Sequence, residues 1–476
     1  MDLPFGNELP QIDVLIVGAG LSGLTSAVKI LSKEHSLNVK IIDEHSNPGG
    51  QLRGEGTRFV SKEQTELIAF LTQLNVALFQ SDQDDQTLSR CWELDRGLTS
   101  APAKFELWRY INMLDMRMKK FSSVRYEFRE RIPTMERHIC INLFFNLSRE
   151  FMYQLVHLVT GMPASEINYD EFMALCSTSG GLNVLIDLFL AMPQSVLTLS
   201  SKKLLEILHE KLKYTEILNN VKAVKVEHFK NYVQVTDSHG KKHKAEAVIL
   251  AIPWDKVNKL QFEPQLPKQY RIPSRRTKKS KSMITQYSMR YNKSFWISQG
   301  YSGQFLNITP LVVGYEHNSI EYCGYMLHTV EEADSVRGTV LDLLAAQFGE
   351  EMLEPLHYKQ ETCELNTAMH KAQIKPWHRV IWSSSAAAAT RDRNLMAGAV
   401  ESGIRAAINA LFVIRPQVVC WRDLQDVQDK NRYAGPSPGY FSGLLSRLNL
   451  YNITFYGVFV IGLICLLNFG YGSIGG

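Results

Sequence analysis

The chain has 476 residues, 45% of them hydrophobic and 21% charged, which excludes a disordered polymer and exceeds one ordinary core. Its net charge of +4 is small and dispersed, which argues against a nucleic-acid partner. Seven cysteines without a C-x-x-C pair exclude a closed disulfide framework and suit reduced thiols in a cytosol-facing body; no metal site is expected.

The opening "MDLPFGNELP" lacks the basic and apolar regions of a secretory signal, so the sequons at Asn146, Asn292, Asn307 and Asn452 are expected to stay unmodified. Val14 to Val17 then reads as a buried parallel strand, being an unbroken apolar run. It ends in Gly18-x-Gly20-x-x-Gly23, and Leu21 to Leu31 takes helical spacing. A second strand, Val39 to Ile42, is closed by Asp43. This order of strand, glycines, helix, strand and acid is a dinucleotide fingerprint. Gly18 makes the turn, Gly20 admits a pyrophosphate, and Gly23 lets the helix lie on the strand. Leu21 and Ser22 stand at the helix N-terminus, whose N–H groups face the phosphate charge. Asp43 falls about 20 residues beyond the glycines, placed to accept from a ribose hydroxyl.

A mainly helical stretch is expected from about Thr65 to Leu212. Strand patterns return at "NYVQVTD" and "AEAVILAIP", and alternation follows in "SMITQYSMRY". Between them Arg275, Arg276, Lys278, Lys279 and Lys281 form the main basic run, which reads as a solvated loop or a contact with anionic lipid. "VRGTVLDLLAAQF" reads as a helix, "HRVIW" as a short strand, and "NLMAGAVESGIRAAINALF" as an amphipathic helix with small residues on one face. The stretch 415–449, with its "GPSPG", reads as a linker. Residues 450–472 are apolar and uncharged, and a bilayer-spanning helix needs about 20 such residues. Tyr451, Tyr456 and Tyr471 lie near its ends, as interfacial tyrosines do. The expected product is a membrane-anchored body facing the cytosol.

After Asp43 the chain runs "EHSNPGGQL", and an acid-ended strand followed by a diglycine loop resembles the flavin-containing amine oxidase family, close to the monoamine oxidases. The similarity continues through "GTRFVSKEQTELIAFLTQLNV", "AVILAIPWDKVNKLQFEPQLP", "YNKSFW" and "AGAVESGIRAA", and the tail resembles the membrane anchor of monoamine oxidases. The resemblance implies an α/β fold with two lobes. A Rossmann-like FAD lobe would be assembled from residues 1–75, 205–270 and 375–414. A substrate lobe would come from 76–204, mainly helical, and 271–374, its sheet. The linker 415–449 and the anchor 450–472 would follow.

Carried over by position, the resemblance implies that Gly18, Gly20, Leu21, Ser22, Gly23, Asp43, Gly50, Gln51, Val221 and Met396 hold FAD. Val221 would grip adenine through its backbone, and Met396 would present its N–H to the flavin pyrimidine at a helix start that favours negative charge. Several family positions have changed. No residue matches the cysteine that links FAD in monoamine oxidases, and Cys363 aligns elsewhere, so FAD is expected to be non-covalent. Leu395 stands where one tyrosine of the substrate cage is expected, and Ala387 where an acid meets the ribityl chain. Gln286 replaces the lysine that reaches flavin N5 through water; a strand-edge polar residue without a role in the chemistry is its other reading. Gln51 replaces the arginine of the diglycine loop, which removes a charged contact to phosphate.

The implied activity is oxidation of a small-molecule amine, with oxygen as electron acceptor. A catalytically impaired flavin-binding scaffold, or a flavoprotein with a non-amine donor, remains open. The implied partners are the bilayer and a second copy of the chain as homodimer. The implied location is the mitochondrial outer membrane ahead of the endoplasmic reticulum.

Overall fold

The computed structural model describes residues 12–53, 57–80, 101–121, 133–190, 196–270, 282–365, 375–388 and 392–424. The basic run 275–281, most of the linker and the apolar stretch 450–472 lie outside the described residues.

The central strand is β1 (Ile12–Val17), with Val14, Leu15 and Ile16 fully buried. Val14 and Ile16 join one core layer, while Leu15 and Val17 join the layer on the other face. Both faces are covered, which is why the sequence here is continuously apolar instead of alternating. β2 (Val39–Ile42) pairs with β1 in parallel on one side, followed by β6 (Glu216–Leu218). β9 (Lys242–Leu250) pairs in parallel on the other side.

β9 splits the sheet. Its first residues, Lys242 to Ala245, alternate exposed and buried and pair antiparallel with β8 (Val233–Asp237). From Ala247 onward every residue is buried, and Val248 to Leu250 pair in parallel with β16 (Val380–Trp382). The switch from alternating to solid apolar character marks where a half-solvated hairpin becomes a two-sided core strand. β7 (Ala223–His228) and β10 (Gln261–Glu263) extend the hairpin side.

Helix α1 (Leu21–Lys33) leaves the glycine turn and crosses α10 (Met396–Ile414) closely. A Cβ on Gly403 would stand 2.6 Å from the Ser22 carbonyl oxygen, and the Ser26 hydroxyl donates to Gly403 O at 3.0 Å. Small residues at this crossing bring the two backbones together. Among the described residues, α10 is the helix long and apolar enough to cross a bilayer, yet 78% of its apolar window is buried within the protein. It is a core helix here. Helices α2 (Thr65–Gln73) and α8 (Ser201–Lys211) complete this layer through Leu67, Leu204 and Leu208.

The helical stretch expected from Thr65 to Leu212 is interrupted. β5 (Val196–Ser200) pairs with β3 (Thr57–Ser61) and β4 (Phe79–Gln80) in a separate three-stranded sheet. Its strand partners lie more than a hundred residues upstream, beyond the reach of a local pattern. Five helices, α3 (Ala101–Phe121), α4 (Met135–Asn142), α5 (Asn146–Thr160), α6 (Tyr169–Thr178) and α7 (Leu182–Phe189), share one core around Tyr110, Met152 and Phe172.

A five-stranded antiparallel sheet follows, in the order β12 (Phe305–Asn307), β13 (Val312–Asn318), β14 (Glu321–Thr329), β11 (Ser282–Arg290) and β15 (His357–Glu364). Tyr287, Met289 and Tyr322 pack on one face against α9 (Val336–Phe348). On the opposite face Tyr315 meets Phe59 of β3 edge-on, with ring centroids 4.8 Å apart. Of these strands only β11 was legible from alternation alone.

In the helical core, His138 accepts or donates at 2.7 Å to the Tyr110 hydroxyl and stacks on Tyr169 at 4.1 Å. Burial, with a smaller effect of the Arg117 charge, pulls its pKa from 6.5 to about 4. The neutral ring is the folded form, so its stabilisation is complete above pH 6.5 and is lost as pH falls from 6.5 towards 4. The melting temperature should fall over this window, with burial of His157, His209, His228 and His317 acting in the same direction. His138→Asn should flatten part of that slope; an unchanged slope in a folded variant would remove His138 from the account.

Candidate dinucleotide site

The carboxyl ends of β1, β2 and β9 come together at one edge. Gly18 N–H donates to Ile42 O at 2.8 Å, and Ala251 N–H to Val17 O at 2.7 Å. Gly18 has φ +105°, and a Cβ there would lie 2.5 Å from Ala251 O. A Cβ on Gly23 would lie 2.0 Å from Gly18 O. Both glycines are therefore demanded by the protein's own packing.

Gly20 is different. Its backbone is extended, and a Cβ there would meet nothing nearer than Gly50 Cα at 3.9 Å. The side chain it lacks would project at the start of α1, where no side chain caps the helix and the first turn carries no acid. A glycine that the fold does not require, at an uncapped helix N-terminus, fits a phosphate whose oxygens take the N–H groups. Leu21 and Ser22 would contribute there through backbone alone. The Ser22 hydroxyl turns away to Ser383 O at 3.3 Å.

The diglycine loop closes over this turn. Gly49 N–H donates to Ala19 O at 2.8 Å, and Gly49 and Gly50 hold φ of +134° and +58°. A Cβ on Gly50 would press to 2.9 Å from Gly20 Cα. Gln51 is exposed on the following 3-10 turn. Gln51 brings no charge to the loop, and the guanidinium groups near it come from other positions. Arg53 Nε donates to Gly50 O at 2.9 Å, and Arg58 Nη2 donates to Gln51 O at 3.0 Å. The two arginines of "RGEGTR" supply guanidinium groups to the loop from further along the chain. Their spacing was visible in the sequence, but not the backward reach of β3 that carries Arg58 to the loop.

Asp43 is buried at the end of β2, and its role is broader than a ribose acceptor. Oδ2 accepts from Ala19 N–H at 2.7 Å, and Oδ1 accepts from His45 N–H at 2.9 Å, with His45 Nδ1 at 3.0 Å. A carboxylate offers about four acceptor positions, so three internal partners leave about one for a ribose hydroxyl. Val221 N–H donates to Asp43 O at 2.8 Å, so a contact with adenine falls to other atoms of that residue.

Gln286 lies within β11, flanked by Tyr325 on β14 and Glu361 on β15, which corrects its reading as a strand-edge residue. Its Oε1 accepts from Arg58 Nη2 at 2.9 Å. Met396 is the first residue of α10, which begins without a side-chain cap. Leu395 packs partly against the helical core, and Ala387 is fully buried, with its carbonyl accepting from Arg405. Arg405 is also paired with Glu401 at 3.1 Å. Cys363 lies on β15 opposite Ile284, its thiol pushed up chiefly by burial. Gly18, Gly20, Gly23, Asp43, Gly50 and Gln51 thus share one edge, and Arg58 links that edge to Gln286. Among the described residues no cluster of metal-ligating side chains occurs.

The two kinds of glycine separate experimentally. Gly23→Ala should destabilise the protein with or without ligand, by about 1–3 kcal/mol of overpacking. Gly20→Ala should leave the melting temperature of ligand-free protein unchanged while weakening dinucleotide binding at least tenfold. Equal losses of ligand-free stability in the two variants would contradict the assignment.

A family model described as the Thi4 family matches residues 7–89, the span of the glycine turn and diglycine loop. The Mycobacterium tuberculosis protein AofH, provisionally named a flavin-containing monoamine oxidase, is 22% identical over 73% of this chain and 82% of its own length. Cyclohexylamine oxidase from Brevibacterium oxydans is similar in structure with a TM-score of 0.67 at 18% identity, covering 84% of this chain and 99% of that one. Wild-type putrescine oxidase bound to putrescine gives a TM-score of 0.63 at 18% identity, with 84% and 99% covered. Turn geometry, strand order and these relatives converge, and the chain carries the fold of the flavin-containing amine oxidases and resembles that family along most of its length.

Proposed function

We propose that this protein is an FAD-dependent oxidoreductase of the amine oxidase type, holding its cofactor non-covalently. The observation that carries the reading is Gly20, whose lack of a side chain serves no packing need of the protein itself. The relatives named for flavin, putrescine and cyclohexylamine supply the chemical class. Bound at this edge, FAD supplies a two-electron acceptor for the carbon beside an amine nitrogen, with oxygen as the final acceptor.

The chain's own groups do the rest. Gly18, Gly20 and Gly23 shape the turn, and the first N–H groups of α1 face the pyrophosphate. Asp43 fixes Ala19 within the turn while keeping capacity for a ribose hydroxyl. Met396 heads α10, whose N-terminal dipole favours negative charge. The face of the five-stranded sheet that carries Tyr315, Tyr325 and Gln286 would bound the substrate space with Phe59. Tyr315 and Tyr325 are both held neutral by burial, Tyr325 donating its hydroxyl hydrogen to Phe189 O. An amine enters such a space more readily as the neutral base than as the ammonium ion, because burial penalises charge.

Residues 450–472 are proposed as a membrane anchor with the body towards the cytosol, at the mitochondrial outer membrane in preference to the endoplasmic reticulum. The support is the uncharged apolar run and Arg432 and Arg447 on its near side.

Detergent-purified protein should show a flavin absorption spectrum, and acid precipitation should release all of the colour into solution. Colour retained in the pellet would indicate a covalent link, and a colourless native protein would overturn the flavin reading. Anaerobic addition of primary amines such as putrescine or cyclohexylamine should bleach the spectrum; bleaching by none would favour a non-amine donor or a scaffold. Truncation before Leu448 should move the protein from the membrane fraction to the supernatant. A truncated body that stays with membranes would transfer anchoring to another segment.

A further inference from the structure

Arg58 joins three elements. It lies on β3, opposite Leu199 of β5, and is half-buried. Its Nη2 atom is 3.0 Å from Gln51 O and 3.4 Å from Arg53 O, carbonyls that follow the diglycine pair closing on Gly20. The same atom is 2.9 Å from Gln286 Oε1, on β11 between β14 and β15 of the five-stranded sheet. Glu361 of β15 lies beside Gln286 in register, and its charge acts on the guanidinium. Its place is therefore the junction between the phosphate-facing loop and the sheet face opposite β3.

We infer that Arg58, oriented by Gln286, is the cation that the proposed flavin meets between its pyrophosphate end and the five-stranded sheet. The inference rests on the flavin reading above. An arginine suits this task because it stays charged when half-buried and spreads several donors over separate acceptors. Gln286 suits it as the neutral acceptor: its Oε1 fixes one arm of the fork without cancelling the charge. Arg58 is thus a positioning residue for the diglycine loop and an electrostatic partner for reduced flavin, which carries negative charge. Gln286 is the arm that holds this cation, so the charge at this junction is carried by β3.

One consequence runs against simple replacement. A lysine at position 286 would place an ammonium group against the guanidinium, and two half-buried like charges repel strongly. Gln286→Lys alone should therefore weaken flavin binding instead of restoring an oxygen-reactive site.

The test uses the full chain in detergent with FAD, comparing wild type, Arg58→Met, Arg58→Lys, Gln286→Leu, Gln286→Lys and the pair Gln286→Lys with Arg58→Met. Flavin dissociation constant and midpoint potential are measured. Arg58→Met should weaken FAD binding about tenfold. It should also lower the potential by the equivalent of tenfold poorer relative hold on reduced flavin, about 30 mV for a two-electron couple. Arg58→Lys should retain part of the potential, and Gln286→Leu should lower it less than Arg58→Met does. The pair should bind FAD more tightly than Gln286→Lys alone. Flavin bound at an unmoved potential in both Arg58→Met and Gln286→Leu overturns the inference and leaves the flavin reading intact. Equal binding by Gln286→Lys and the pair also overturns it. A wild type without flavin overturns both.

Discussion

The approach of α1 to the end of β1 is the constraint on which the rest of the molecule depends. Gly23 lies so close to Gly18 O that a single methyl group would stand 2.0 Å from it. That closeness sets the angle at which α1 leaves the sheet, and hence where it meets α10 at Gly403. It also aims the first N–H groups of α1 at the edge where β1, β2 and β9 end. Two backbone carbonyls and two missing side chains thus fix the orientation of a thirteen-residue helix. The same geometry leaves Gly20 open on the outer side of the turn.

Asp43 ties this turn to the neighbouring strand. Its carboxylate takes Ala19 N–H and His45 N–H, and its main chain binds Leu218 O and Val221 N–H. A buried acceptor with several internal donors is rigid, because losing one leaves a desolvated N–H without a partner. The carboxylate therefore stabilises the ligand-free turn. An aspartate keeps its charge nearer its own backbone than a glutamate would, which suits this inward role.

Buried and half-buried positive charge is distributed in a related way. Arg405 pairs with Glu401 beneath the Ala387 turn, while Arg53 and Arg58 bind carbonyls of the diglycine loop. Loop carbonyls held by guanidinium groups tie the loop that closes over Gly20. Arg58 also reaches Gln286, so a single side chain couples the diglycine loop to the five-stranded sheet.

The sequence by itself determined the elements whose signal is local. The unbroken run at Val14 to Val17, the glycine spacing, the acid-ended strand and the small-residue face of α10 each follow from neighbours a few residues apart, and all stand where their patterns placed them. The roles of Gly18 and Gly23 were legible for the same reason, since turn and helix packing are short-range demands. Tertiary structure alone decided the pairing of β5 with β3, the branch at β9, the inward partners of Asp43 and the meeting of Arg58 with Gln286. Those contacts join residues far apart in sequence, and long-range pairing leaves little local trace. Gln286 shows the difference most directly. Its identity gives no sign of the guanidinium that the fold places 2.9 Å from its oxygen.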